Sequence, residues 1–174
     1  MAARRTPSQT VGPFFHEALR WKDGGNVTFA EAGRRIVLAG RVIDGAGEPV
    51  ADAMIETWQL SPLGKTHAPA AGNERPHGFG RVETGEDGSF RIETSMPGGE
   101  APCLEVALFA RGLLKALRTR VYFAAEERAR ADPVLHAMAG SPRVRTLVAQ
   151  PAGDDRYRWD VRLQGEGETV FFAV

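Results

Sequence analysis

Glycine or proline interrupts this chain every few residues, and that punctuation limits its fold more than any other feature. Twenty glycines and eleven prolines are spread over 174 residues, which leaves no room for long helices and favours short strands joined by tight turns. Between the interruptions the pattern alternates with period two. Residues 36–43 read as a strand ended by the turn 44–49, and residues 50–59 return with Ile55, Thr57 and Gln59 on one face. Residues 79–84 and 89–94 flank Gly85-Glu-Asp-Gly88, whose Asp-Gly pair supplies the positive-φ positions of a tight turn, so a hairpin is predicted there. Further strands are predicted over 104–110, 117–123, 143–149, 156–163 and 169–172. In the run 156–163, Tyr157, Trp159, Val161 and Leu163 alternate with polar residues. One short helix is expected over 124–131, ended by Asp132-Pro133. The sum is an all-β chain, a β-sandwich of about nine short strands in a single domain, 1–174, with residues 1–20 forming an extended N-terminal arm because 6–16 hold two prolines and a glycine.

Composition narrows the function. Twenty-two basic residues balance twenty-two acidic ones, and they are scattered, so nothing marks a nucleic-acid or anionic-membrane partner. No apolar run reaches a membrane span of roughly 18 residues, and the N-terminus lacks the apolar core of a secretory signal. One cysteine, Cys103, excludes an internal disulfide. A cytoplasmic location is expected.

Chemistry-bearing residues are sparse. There is no Gly-x-Ser-x-Gly elbow, and Cys103 has no histidine near it in sequence, so the thiol reads as a small buried hydrophobe. His67 and His77, with Glu74 between them, lie in the long strandless loop 61–78, where solvated side chains are the simpler reading and a metal site the sharper one. Cys103 and Glu105 stand two apart on a strand and share a face. Arg111 follows the apolar run 106–110 and precedes Gly112. It reads either as a structural ion pair or as a planar fork for a carboxylate. Arg156, Arg158 and Arg162 read as a solvated strand face, and the segment 165–168 as a turn.

Taken together, TPSQTVGPFFH, GRVIDGAGEPVADAMIETWQ, FGRVETGEDGSF, APCLEVALFARG, TRVYF and YRWDVRLQGEGETVFF, in that order along nearly the whole chain, resemble the intradiol ring-cleaving dioxygenases, on the side of the α subunits of protocatechuate 3,4-dioxygenases. The resemblance implies paired sandwiches, with Fe(III) held in a partner β subunit by two tyrosines and two histidines, hard donors for a hard ion. On that resemblance Thr66 stands at the first tyrosine position, the segment 97–101 is too short to keep the second, and Cys103 and Glu105 stand at the histidine positions. The chain's two tyrosines, Tyr122 and Tyr157, match neither ligand. The implied function is that of an α subunit without metal or catalytic residues of its own. Thr10, Gly12, Pro13 and Arg111 would wall a pocket in which protocatechuate meets O2 at the partner's Fe(III), giving 3-carboxy-cis,cis-muconate in aromatic-compound catabolism (the β-ketoadipate pathway). Three alternatives stand beside it. They are a self-sufficient dioxygenase, a replacement metal site built from Cys103, Glu105 and His67, and a non-enzymatic transthyretin-like binding module.

Overall fold

The computed structural model describes residues 18–27, 29, 33–66, 78–123 and 131–173. Among the described residues ten strands are hydrogen-bonded into one sheet: β1 (Asn26–Val27), β2 (Arg35–Ile43), β3 (Met54–Trp58), β4 (Phe79–Glu83), β5 (Ser89–Ser95), β6 (Cys103–Phe109), β7 (Leu117–Phe123), β8 (Val148–Pro151), β9 (Arg156–Arg158) and β10 (Val161–Arg162). Their spatial order is β1-β5-β2-β9-β8-β7-β6-β3-β4, with β10 on β2. Strand β8 bridges the two halves, pairing with β7 on one side and β9 on the other.

The inner faces meet in one core. Leu38, Val42 and Ile92 come from one half, and Ile55, Leu104, Val106, Leu108 and Val121 from the other. Each is nearly or wholly inaccessible to solvent, and full burial of an aliphatic side chain contributes about 1.5–3 kcal/mol. Leu108→Ala would leave a cavity in this layer at a cost of about 2–5 kcal/mol.

The strands predicted over 36–43, 79–84, 89–94, 104–110 and 117–123 are present to within a residue, but both predicted hairpins are corrected. β4 pairs with β3 and β5 with β2, so the tight turn 85–88 carries the chain from one half to the other. The turn itself closes as expected, with the Gly88 amide donating to the Gly85 carbonyl at 2.8 Å. What redirects it is β2: the Val42 amide donates to the Gly88 carbonyl, 2.9 Å, and a Cβ on Gly88 would come within 2.6 Å of the Val42 carbonyl oxygen. The first turn behaves alike. Asp44 Oδ1 accepts from the amides of Ala46 and Glu48, and a single bridge forms between Ile43 and Pro49. Asp52, at φ 65°, then turns the chain into the other half.

Three further expectations are corrected. Residues 143–147 belong to a 3-10 helix, Pro142–Leu147, because Ser141 caps it and Pro142 opens it. The run 156–163 breaks into β9 and β10 around Trp159 and Asp160, where Asp160 accepts from the Arg41 amide at 3.0 Å. Tyr157, Trp159 and Val161 still face inward. Residues 169–172 supply only one bridge, Arg118 to Phe172. Asp132-Pro133 starts a helix, α1 (Pro133–Ala137), since the Asp132 carboxylate accepts from the Val134 amide and Pro occupies the first turn. The helix expected over 124–131 falls outside the described residues save its last. Among the described residues no helix is long and apolar enough to cross a membrane.

Candidate functional site

A cleft of about 690 Å³ opens where the end of β3, the loops 61–66 and 98–101 and the start of β6 converge. Loop packing makes it. Ser61 is buried, its hydroxyl accepts from the amides of Leu63 and Lys65, and its carbonyl accepts from Gly64 and Gly98. A Cβ on Gly98 would sit 2.3 Å from the Pro62 carbonyl oxygen, so the loops can close on each other only through glycine.

Thr66, Cys103 and Glu105, three residues placed at ligand positions by resemblance, line this cleft together with Gly98, Gly99 and Ala101 of the shortened segment. The alternation of β6 turns Cys103 and Glu105 into the cleft while Leu104 and Val106 enter the core. Across the ladder Tyr122 stands opposite Cys103, and Arg120 opposite Glu105. The Arg120 guanidinium bonds Glu105 Oε1 through Nε at 2.7 Å and reaches Asp132 Oδ2 through Nη1 at 3.5 Å. Asp132 is 3% exposed and has its other oxygen committed to capping α1.

These side chains are poor partners for Fe(III). Burial, reinforced by the negative charge of Glu105, pushes the Cys103 thiol up to about 12, so it stays protonated at neutral pH. The Tyr122 phenol is wholly buried and also shifted upward, chiefly by that burial. Glu105 is neutralised by Arg120, and a fixed guanidinium repels a second cation. Among the described residues no group of three or more His, Cys, Asp or Glu side chains is disposed to hold a metal ion. The donor set does not fit the ferric ion, and no chemistry is routed through one here.

Arg111 lies elsewhere. It follows the far end of β6 from Cys103, its side chain is 71% exposed, and it pairs with Asp52 at 2.7 Å. The structure therefore does not bring Arg111 to Cys103 and Glu105. Thr10, Gly12, Pro13, His67 and His77 lie outside the described residues.

Sequence reasoning missed Arg120 and Asp132. Arg120 lies inside the predicted strand 117–123, yet only the strand register sets it against Glu105, and Asp132, which reads in sequence as a helix stop, is the cap that starts one.

Comparison with known proteins sharpens this picture. A family model described as "Dioxygenase" matches residues 10–105. The protocatechuate 3,4-dioxygenase alpha chain of Burkholderia cepacia is 41% identical over 98% of this chain and 98% of its own length. That of Pseudomonas putida is 37% identical over 96% and 95%. The protocatechuate 3,4-dioxygenase beta chain of Burkholderia cepacia is 28% identical over 93% of this chain and 77% of its own. Among solved structures, the dioxygenase domain of a dioxygenase–carbohydrate-binding fusion from Streptomyces sp. SirexAA-E superposes with a TM-score of 0.61 at 22% identity, covering 96% of this chain and all of that one. That likeness speaks for the fold alone.

Proposed function

The chain belongs to the intradiol dioxygenase family, and we propose that within it this polypeptide is the iron-free α subunit of a two-chain protocatechuate 3,4-dioxygenase. The observation that carries the reading is the Glu105–Arg120–Asp132 cluster, in which one guanidinium ties up both carboxylates among the positions where the resemblance puts metal ligands. Similarity to alpha chains over nearly the whole length, and weaker similarity to a beta chain, supports two related subunits with divided roles.

On this reading the partner β subunit's Fe(III) supplies the oxygen chemistry, in which protocatechuate takes up both atoms of O2 as the bond between its hydroxyl-bearing carbons breaks, giving 3-carboxy-cis,cis-muconate. This chain supplies pocket wall and orientation. Thr10, Gly12 and Pro13 line the shared pocket, where the glycine allows close backbone approach and the fixed proline leaves little freedom to lose on binding. The Arg111 fork takes the substrate carboxylate, exchanging Asp52 for it.

Co-expression with a β-type chain tests this. The complex is expected to consume O2 on protocatechuate while the purified chain alone does not, and O2 uptake by the chain alone would overturn the proposal.

A further inference from the structure

The segment that leads out of the arm is stitched to both halves of the sandwich at their open seam. The Arg81 amide of β4 donates to the Gly24 carbonyl at 2.9 Å, and the Glu93 amide of β5 donates to the Gly25 carbonyl at 2.7 Å. A side chain at either glycine would collide with backbone: a Cβ on Gly24 would lie 2.0 Å from the Arg81 carbonyl oxygen, and one on Gly25 2.7 Å from that of Arg91. Residues 24–25 thus close the seam.

One turn earlier the attachment is made by side chains, and Arg81 is its centre. Its guanidinium is 15% exposed and bonds Glu56 Oε1 through Nε at 2.9 Å and Nη2 at 2.5 Å. The remaining Nη1 donates to the Leu19 carbonyl at 3.2 Å. Its Cζ lies 4.6 Å from the Trp21 ring centroid and 5.5 Å from that of Phe79. Trp21 also packs edge-on against Phe79, with 5.1 Å between centroids. Arg20 forms an ion pair with Glu83. Glu56 neutralises the guanidinium and orients it, and the face and Nη1 left over grip the chain at residues 19–21 by its backbone and by one indole. A cation held over a ring in a partly desolvated site is a strong anchor. Trp21 remains 36% exposed, so the contact does little to fill the core. Its effect is to fix the position of residues 19–21 on the sandwich.

We propose that Arg81, acting with Trp21, is a positioning residue for the arm: it fixes the root at residues 19–21 so that Thr10, Gly12 and Pro13 start from a defined point on the way to the shared pocket. This rests on the function proposed above. Pro13 stands six positions before Leu19, a reach of at most about 20 Å when extended, so freeing the root would spread Pro13 over a volume of that scale and lower its effective concentration in the pocket.

The test uses the αβ complex with protocatechuate. Arg81→Met is expected to raise KM about tenfold with kcat changed less than about twofold, and with iron content and subunit ratio unchanged. Arg81→Lys, which keeps the ion pair with Glu56 but loses the fork, and Trp21→Leu, which leaves that pair intact, are expected to raise KM about threefold. The latter two keep the test decisive if Arg81→Met does not fold. A complex lacking residues 1–17 serves as reference. If that truncation leaves KM unchanged, the arm reading falls and this inference with it. If truncation raises KM while the point variants do not, the inference alone is overturned. In the truncated background Arg81→Met is expected to add nothing, and a further rise there would show that Arg81 acts through the general fold, overturning its positioning role.

Discussion

Two half-buried arginines of this sandwich, Arg120 and Arg81, sit against carboxylates, and their remaining contacts separate their roles. Arg120 spends its contacts on two acids, Glu105 and Asp132, so both carboxylates are tied to a cation that cannot leave. Arg81 has one acid, Glu56, and turns its remaining surface to a carbonyl and an indole. The first arrangement occupies a site and the second holds residues 19–21 in place. A third arginine, Arg111, gives the contrast: it pairs with Asp52 on the surface, where the interaction is weak and exchangeable.

The comparison breaks first at Arg120. Arg120→Met strands the buried Asp132 carboxylate without its counter-charge, and is expected to cost about 2 kcal/mol by chemical denaturation of the chain, below the 3–5 of a fully buried pair because Glu105 is half exposed. Asp132→Ala removes the cap of α1 and one side of the cluster together, for a loss of about 1 kcal/mol on the same assay. A loss of equal size from Glu105→Gln would show that the solvated acid matters as much as the buried one and would undo this account of the cluster.

Protonation of Cys103 sharpens the same region. The folded thiol titrates near 12 against an ordinary value of 9.0, so between those values the unfolded chain has lost a proton that the folded one keeps. Stability from this group is therefore full below pH 9 and is lost as pH rises toward 12. Wild type is expected to lose more Tm between pH 8 and pH 10.5 than Cys103→Ala does, as thermal melts at the two pH values would record. The smallest structural effect belongs to Arg111→Ala, which should change stability by less than about 0.5 kcal/mol. In the αβ complex it should nevertheless lower kcat/KM for protocatechuate with iron content unchanged. An unchanged kcat/KM would remove Arg111 from the pocket.

Much of this was readable from residue order. Period-two alternation located β2, β5, β6 and β7 almost to the residue and put Cys103 and Glu105 on one face. Turn chemistry located residues 44–49 and 85–88 as well. What it leaves open is the destination of the chain beyond the turn, since the same Asp-Gly pair serves a hairpin and a crossing between sheets. Here packing of Gly88 on the Val42 carbonyl selects the crossing. The candidate site shows the same limit. Its residue types are legible singly, but the pairing of Glu105 with Arg120 depends on the register of β6 against β7, and Asp132 arrives from a helix start. The grip of Arg81 on residues 19–21 joins positions about sixty apart, with no local pattern to announce it.

Metal analysis of the chain purified alone after expression in iron-replete medium bears most directly on the central claim, that the cleft around Arg120 has no place for a ferric ion. Only trace iron is predicted, with stoichiometric iron appearing when the chain is isolated together with a β-type partner. A full equivalent of tightly bound iron on the chain alone would contradict it.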